Sequence, residues 1–145
     1  DALEEGPGRN MDRAFALHVL GWRLEGESAI SPTGSHNAND EKYKDQWLEY
    51  YSTSLEAIAP AVFENHYFSS AELRKSTRGI YRAVVRGEIK IIGHSVHGGK
   101  SAVSLIGISF SGYAAAALCR AALMCKLDEI DKAAALDKRL IEGVQ

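Results

Sequence analysis

Two apolar runs decide the fold: residues 88–95 (EIKIIGHS) and residues 100–111 (KSAVSLIGISFS). Both are rich in Ile, Val, Leu and Phe, which are the residue types that suit half-buried strands. The glycines of His97-Gly98-Gly99 lie between the runs and permit a tight connection. The sequence therefore predicts two antiparallel strands joined as a hairpin.

Helical patterns lie on both sides of this hairpin. An apolar face at residues 11–20 follows a good N-cap and ends at Gly21. A capping box, Thr-Ser-Leu-Glu at residues 53–56, begins a second helix, in which Pro60 predicts a kink or a restart. The Ala- and Leu-rich residues 113–143 form one long helix or two consecutive helices.

The remaining elements complete the predicted architecture. Residues 22–25 and 47–51 are expected to be short strands, and the polar residues 26–44 between them a long surface loop. The order of elements predicts an α+β fold. It is a layered sandwich, in which helices pack on a small antiparallel sheet and the chain ends in a long C-terminal helical segment.

Residues 71–86 admit two interpretations. A second capping box at residues 69–72 precedes apolar residues that are spaced as on one face of a helix. Val, Ile and Tyr also suit strands, so the alternative pairs residues 80–85 with residues 88–92 as a hairpin. We expect the helix.

These expectations divide the chain into three parts. Residues 1–10, which contain Gly-Pro-Gly, form a flexible leader. Residues 11–127 form a single α+β domain with a helical insertion at residues 66–87. Residues 128–145 form a C-terminal helical extension.

The composition indicates a single soluble domain. The chain has 145 residues, of which 46% are hydrophobic and 25% charged. Its apolar runs are too short to cross a bilayer, and its acidic N-terminus is unlike a signal peptide, so no membrane partner is expected. Cys119 and Cys125 lie six residues apart on a predicted helix and cannot bridge each other. They indicate reduced thiols in a cytoplasmic protein.

Charge is unevenly distributed, although the net charge is only −2. Residues 1–66 carry five basic and twelve acidic side chains, a balance of −7, whereas residues 67–100 carry seven basic and two acidic ones, a balance of +5. On the predicted helix 71–86, cations four residues apart form one stripe. We call this the arginine stripe, and it consists of Arg74, Arg78, Arg82 and Arg86, with Lys75 beside them.

The arginine stripe, together with Lys100, is the candidate binding site for anions. Phosphate groups, nucleic acid and an acidic protein surface are its possible ligands. The alternative is a solvated helix face, or pairing with the acidic half of the same chain. Since the opposite charges can also pair between subunits, we expect self-association. In an extended conformation the guanidinium groups would point to both faces, and the stripe would be lost.

Motifs for catalysis or metal binding are weak. Residues 91–101 form an apolar strand that leads into Gly98-Gly99-Lys100-Ser101, but His94 stands where a phosphate-binding loop needs glycine, and a strand follows instead of a helix. A binder of a phosphorylated small molecule or nucleotide, or an enzyme acting on one, is the alternative function. The spacing of histidines and serines indicates neither a metal site nor a nucleophile, so no catalytic residue, metal or cofactor is predicted.

Three motifs carry a family resemblance. They are Ala-Phe-Ala-Leu-His-Val-Leu-Gly-Trp at residues 14–22, Tyr-Ser-Thr-Ser-Leu at residues 51–55, and Ala-Leu-Cys-Arg-Ala-Ala-Leu at residues 117–123. In this order they resemble the opening, second and closing helices of the phage ABA-sandwich domain family. These are small proteins of tailed phages and prophages with no established activity. Residues 66–86 and 127–145 depart from the family pattern.

The resemblance implies a layered fold of sheet and helices, a phage or prophage origin and a place in the host cytoplasm. It transfers no catalytic residue. We therefore expect a non-enzymatic, phage-derived accessory or binding protein that self-associates, with nucleic-acid binding through the arginine stripe as a further alternative.

Overall fold

The structure, a computed structural model, describes residues 3, 6–25, 28–30, 48–92 and 100–142. Its helices are α1 (Arg9–His18), α2 (Leu55–Phe63) and α3 (Ala114–Glu142), and its strands are β1 (Arg23–Glu25), β2 (Ser28–Ile30), β3 (Phe68–Lys75), β4 (Tyr81–Ile92) and β5 (Lys100–Ser111). Strands β1 and β2 form an antiparallel pair, and β3, β4 and β5 form an antiparallel sheet in that order. The predicted α+β fold, with a small antiparallel sheet and a long C-terminal helix, is confirmed.

Helix α3 is the middle layer of the molecule. It packs on β4 and β5, while α1 and α2 pack mainly on α3. Residues 115–119 of α3 are all buried, so every side of this part of the helix is covered. Large side chains would keep the neighbouring layers apart, which explains why this half of the helix is rich in alanine.

Strand β5 meets α3 backbone to backbone at Gly107. A Cβ atom at this position would overlap the carbonyl oxygen of Ala121 and lie 2.6 Å from the amide nitrogen of Cys125. Backbone atoms cannot rotate away as the end of a side chain can, so the helix would have to shift. The contact between sheet and helix therefore requires glycine at residue 107.

The second half of α3 covers the free edge of β5. The backbone N–H of Ile106 donates to Asp128 Oδ2 at 3.3 Å, and Lys132 Nζ donates to the carbonyl oxygen of Ser104 at 2.8 Å. Asp128 and Lys132 also form an ion pair at 3.1 Å. These side chains occupy backbone groups that another strand would otherwise pair with.

The helix predicted for residues 71–86 is wrong, and with it the helical insertion at residues 66–87. This region forms strands β3 and β4, which are joined by a turn at Gly79. Gly79 has φ of 80°, a conformation that glycine adopts without strain. Pairing of β3 and β4 satisfies the backbone of both strands, and the inner face of the sheet then packs on the core. The free energy gained from this pairing and packing outweighs the preference for a helix that the spacing of apolar residues indicates.

The alternative hairpin is also incorrect in its pairing. Arg86 and Gly87 do not form a turn, because β4 runs without a break through residues 81–92. The partner of β4 on one side is β3, and on the other side it is β5, whose predicted bounds are confirmed. The His97-Gly98-Gly99 connection lies outside the described residues.

The smaller predictions have mixed outcomes. Helix α1 begins at Arg9, two residues earlier than expected, and Gly21 after it adopts φ of 74° as a helix stop requires. Ser54 rather than Thr53 caps α2, and α2 continues through Pro60 without a restart. Residues 48–51 are not a strand.

The C-terminal helix is one element through residue 142, so the expected extension continues the helix of the core. Ser111 Oγ accepts from the backbone N–H of Tyr113 just before the helix starts, close to its expected capping role. Among the residues described, no helix has the combination of length and apolar character needed to cross a bilayer.

A Gly107→Ala substitution tests the contact between β5 and α3. We expect it to lower the free energy of unfolding by about 3 kcal/mol, because the added methyl group forces the helix off the strand. Urea unfolding of the two proteins measures the difference. Gly112→Ala is the matched control, since nothing lies within 4 Å of a Cβ atom there. Equal stability of both variants would contradict the contact.

Candidate interaction surface

The face of the three-stranded sheet that points away from α3 is the candidate site. Its residues lie in three cross-strand rows, as the strand register shows. We call this surface the outer face, and its rows are Ser70, Arg86 and Ile106; Glu72, Val84 and Ile108; and Arg74, Arg82 and Phe110. Side chains alternate between the two faces of a strand, and the neighbours of these residues, such as Val85 and Leu105, are buried against the core.

An apolar column lies on the outer face along β5. Ile106 is 37% exposed, Ile108 38% and Phe110 60%. The opposite side of β5 carries the small residues Gly107 and Ser109, which are buried. From residue 106 to residue 110 the strand thus places its smaller residues against the helix and its larger ones in solvent, while Leu105 before them packs in the core.

A cationic column lies beside the apolar one. Arg82 and Arg86 are exposed on β4, and neither pairs with a carboxylate anywhere in the described ranges. Arg74, directly opposite Arg82, forms an ion pair with Glu72 on its own strand. Like charges in directly opposite positions destabilise a strand pair slightly. An anion bound near Arg82 would therefore reduce the repulsion between Arg82 and Arg74.

The arginine stripe is therefore not a helical feature, although part of it persists. Arg82 and Arg86 are four residues apart, an even number, so they share one face of β4. Arg74 joins them because directly paired residues point to the same side. The expectation that an extended chain would spread these groups over both faces is wrong for these three.

The other predicted binding residues lie elsewhere. Lys75 is next to Arg74 and points to the other side, with its Nζ 5.6 Å from the centre of the Tyr81 ring. Arg78 is in the β3–β4 turn. Lys100 begins β5, ten residues before Phe110, which at about 3.3 Å per residue places it about 33 Å away.

The exposed apolar column was missed by the sequence analysis, although the sequence contains its signal. Large apolar residues of β5 point to both faces of the strand, Leu105 to one and Ile106, Ile108 and Phe110 to the other, which ordinarily indicates a strand buried on both faces. Gly107 and Ser109 belong to the same face of β5. Their small size indicates that another element approaches the strand closely on this face. The larger residues then belong to the opposite side.

A buried polar cluster ties α1 to the segment before α2. The Asp12 carboxylate accepts from the Ser52 hydroxyl at 2.7 Å, from the Ser52 backbone N–H at 2.8 Å and from Arg9 at 3.0 Å. Arg9 also donates to the carbonyl oxygen of Leu48 at 2.8 Å. Asp12 and Ser52 are fully buried, so the cluster holds the fold together and offers no group to a substrate.

The two thiols are poor nucleophiles. Burial and the nearby Asp12 carboxylate raise the pKa of Cys119 far above its usual value. Burial raises the pKa of Cys125 to about 11, with a contribution from Asp128. At neutral pH both remain protonated, and the thiolate is the reactive form.

One further ionic cluster joins Tyr67, the residue just before β3, to α3. The Tyr67 hydroxyl donates to Glu129, whose carboxylate also pairs with Lys126 at 2.8 Å, and Lys126 Nζ lies 4.0 Å from the centre of the Tyr67 ring. Partial burial raises the pKa of Glu129 and lowers that of Lys126. The groups satisfy one another, so we assign the cluster a structural role.

Several predicted features cannot be placed. The glycine-rich segment at residues 93–99, with His94 and His97, lies outside the described residues. The loop predicted for residues 26–44 is wrong at Ser28–Ile30, which form β2, and its remaining residues lie outside the described ones. Within the described part of the chain, no three His, Cys, Asp or Glu side chains are arranged to hold a metal ion.

The raised thiol pKa values have a direct test. In the folded protein at pH 8 we expect a disulfide reagent such as Ellman's reagent to label both cysteines slowly, because thiolate is scarce and the thiols are buried. Absorbance at the end of the reaction counts the labelled thiols, and denaturant-unfolded protein serves as the control. Immediate labelling of the folded protein would contradict the burial of both cysteines.

An Asp12→Ala substitution tests the buried polar cluster. It leaves Arg9 and the buried Ser52 without their shared acceptor, so we expect a loss of about 3 kcal/mol in the free energy of unfolding. Urea unfolding measures it, with the exposed Asp131→Ala as the control. If both variants were as stable as the unsubstituted protein, the cluster would not hold the segment.

Comparison of the chain with models of protein families, with curated proteins and with solved structures finds no match in any of the three. The resemblance to the phage ABA-sandwich domain family stays a prediction from the three motifs. The outer face and its surroundings are therefore the features of the molecule that bear on its function.

Proposed function

We propose that the protein is a non-enzymatic binding protein that associates with further copies of itself through the outer face. One observation carries this proposal: an exposed apolar column, Ile106, Ile108 and Phe110, lies directly beside two arginines that have no carboxylate partner among the described residues. Apolar groups that remain exposed together on a small protein commonly mark an interaction site.

The face of the sheet, rather than its β5 edge, is the part available for association. Asp128 and Lys132 already occupy the backbone groups of Ile106 and Ser104 at that edge. Addition of a strand from another molecule would have to displace both side chains. Packing on the outer face needs no such displacement.

The charge distribution supports a second copy as the partner. The first 66 residues are acidic and residues 67–100 are basic. The described ion pairs do not join these halves, because Arg74 pairs with Glu72 of its own strand and Arg9 with Asp12 of its own helix. Where their side chains are described, the acidic and basic groups of the two halves do not pair with each other, and such complementary charges favour association between chains.

Two alternatives receive less support. Proteins that bind single-stranded nucleic acid stack successive bases on several aromatic rings, whereas Phe110 is the one aromatic residue of the outer face. A phosphate site would need Lys100 together with the arginines, but along the strands Lys100 is about 20 Å from the level of Arg86 and about 33 Å from that of Arg82. An accessory role in a phage or prophage, in the host cytoplasm, is the setting that the family resemblance implies.

An Arg82→Glu substitution tests the outer face, with Arg78→Glu as the matched control. Both variants have the same net charge, but Arg78 lies in the β3–β4 turn and outside the outer face. Sedimentation velocity over a concentration series measures association. We expect Arg82→Glu to weaken it about tenfold or more, and Arg78→Glu to leave it nearly unchanged. Added salt should weaken association of the unsubstituted protein, since these charges are exposed.

Three results would contradict the proposal. They are a monomeric unsubstituted protein at every concentration, equal effects of the two substitutions, and salt-sensitive binding of a single-stranded oligonucleotide that Arg82→Glu abolishes. The last would favour nucleic-acid binding instead.

A further inference from the structure

A second exposed surface complements the outer face. It lies on α2 and the residues just before it, and it combines three carboxylates with two exposed apolar side chains. We call it the acidic face, and it consists of Glu49, Leu55, Glu56, Phe63 and Glu64. Leu55 is 44% exposed and Phe63 51%.

The helical geometry of α2 places Glu56 and Phe63 together. Leu55 and Glu64 are nine residues apart, about two and a half turns, and therefore lie on opposite flanks of the acidic face. Glu56 and Phe63 are seven residues apart and therefore lie on one side of the helix, while Ile58 and Val62 are buried on the side that packs on the core. A groove of about 500 Å³ lies next to this side, with Glu49 and Glu56 among its lining residues. In the described ranges no cation pairs with the three carboxylates.

The two faces cannot meet within one molecule. The outer face points away from α3 on the sheet side, and the exposed side of α2 points away from the core layer in which α2 packs on α3. Groups in contact between them must therefore come from different copies. Because the two faces point in opposite directions, a twofold dimer cannot bring both pairs of faces together, and head-to-tail contacts build rings or filaments instead.

We infer that the outer face of one copy docks on the acidic face of the next. This inference rests on the proposed function and adds to it the surface that receives the outer face. Arg74, Arg82 and Arg86 then meet carboxylates, while the apolar column meets Phe63. A face-to-face pair would instead bring two sets of arginines together, which costs energy.

A pair of substitutions tests this arrangement. Phe110→Asp damages only the outer face, and Phe63→Asp damages only the acidic face. Both phenylalanines are more than half exposed, so neither is a core residue. Circular dichroism and urea unfolding check that both variants fold, and Ile130→Asp is the control at an apolar residue of similar exposure outside both faces.

Each variant alone should sediment as a monomer, whereas Ile130→Asp should associate like the unsubstituted protein. In an equal mixture, the acidic face of Phe110→Asp and the outer face of Phe63→Asp are both intact. We expect the mixture to form one heterodimer and nothing larger, because the two remaining faces are damaged.

The outcomes distinguish failure of the proposed function from failure of the head-to-tail docking. If Phe110→Asp associates normally, the proposed function itself fails. If Phe110→Asp is monomeric while Phe63→Asp associates normally, the outer face is an interaction surface, but it does not dock on the acidic face. If both are monomeric and their mixture stays monomeric, head-to-tail docking is overturned.

Discussion

The close approach of β5 to α3 at Gly107 is the constraint on which the rest of the structure depends. Where a strand backbone touches a helix backbone, no side chain can separate them, and the surfaces on both sides must be small. The alanines of α3 meet the same requirement toward α1 and α2, because this part of the helix is covered on every side. A single helix can therefore serve as the core of both neighbouring layers.

This constraint also determines what the sheet exposes. Gly107 and Ser109 point to the face of β5 that packs on the helix. The residues between and beside them, Ile106, Ile108 and Phe110, therefore point to the other face. A sheet covered on one face only would normally place polar residues there. The apolar column, beside two arginines that pair with no carboxylate among the described residues, is the observation on which the proposed self-association rests.

The sequence allowed the general architecture to be predicted, and the limits of that prediction have physical causes. The bounds of β5 and the stop at Gly21 follow from local residue preferences, which the tertiary structure happens to reinforce. Residues 71–86 fit a helix equally well by spacing, and only their pairing beside β4 decides against it. Local periodicity contains no information about this long-range pairing.

The candidate site was predicted in part. The arginines were identified from their regular spacing, and Arg74, Arg82 and Arg86 do share a surface, although it is a sheet face and not a helix stripe. Their apolar neighbours were missed, because the large residues of β5 were used only to identify a strand and were not assigned to either of its faces. The acidic face depends on how α2 packs, and the capping box and apolar spacing of α2 specify the helix but not what lies beside its exposed side.

The most direct test of self-association through the outer face is a dilution series followed by amide NMR spectra. Dimer and larger species bury the contact residues, so their amide shifts should change with concentration. We expect the changes to concentrate on the exposed residues of β4 and β5 and on residues 49–64, and to disappear in high salt. Shifts that stay constant over the whole concentration range, or that change only at positions far from both faces, would contradict the account.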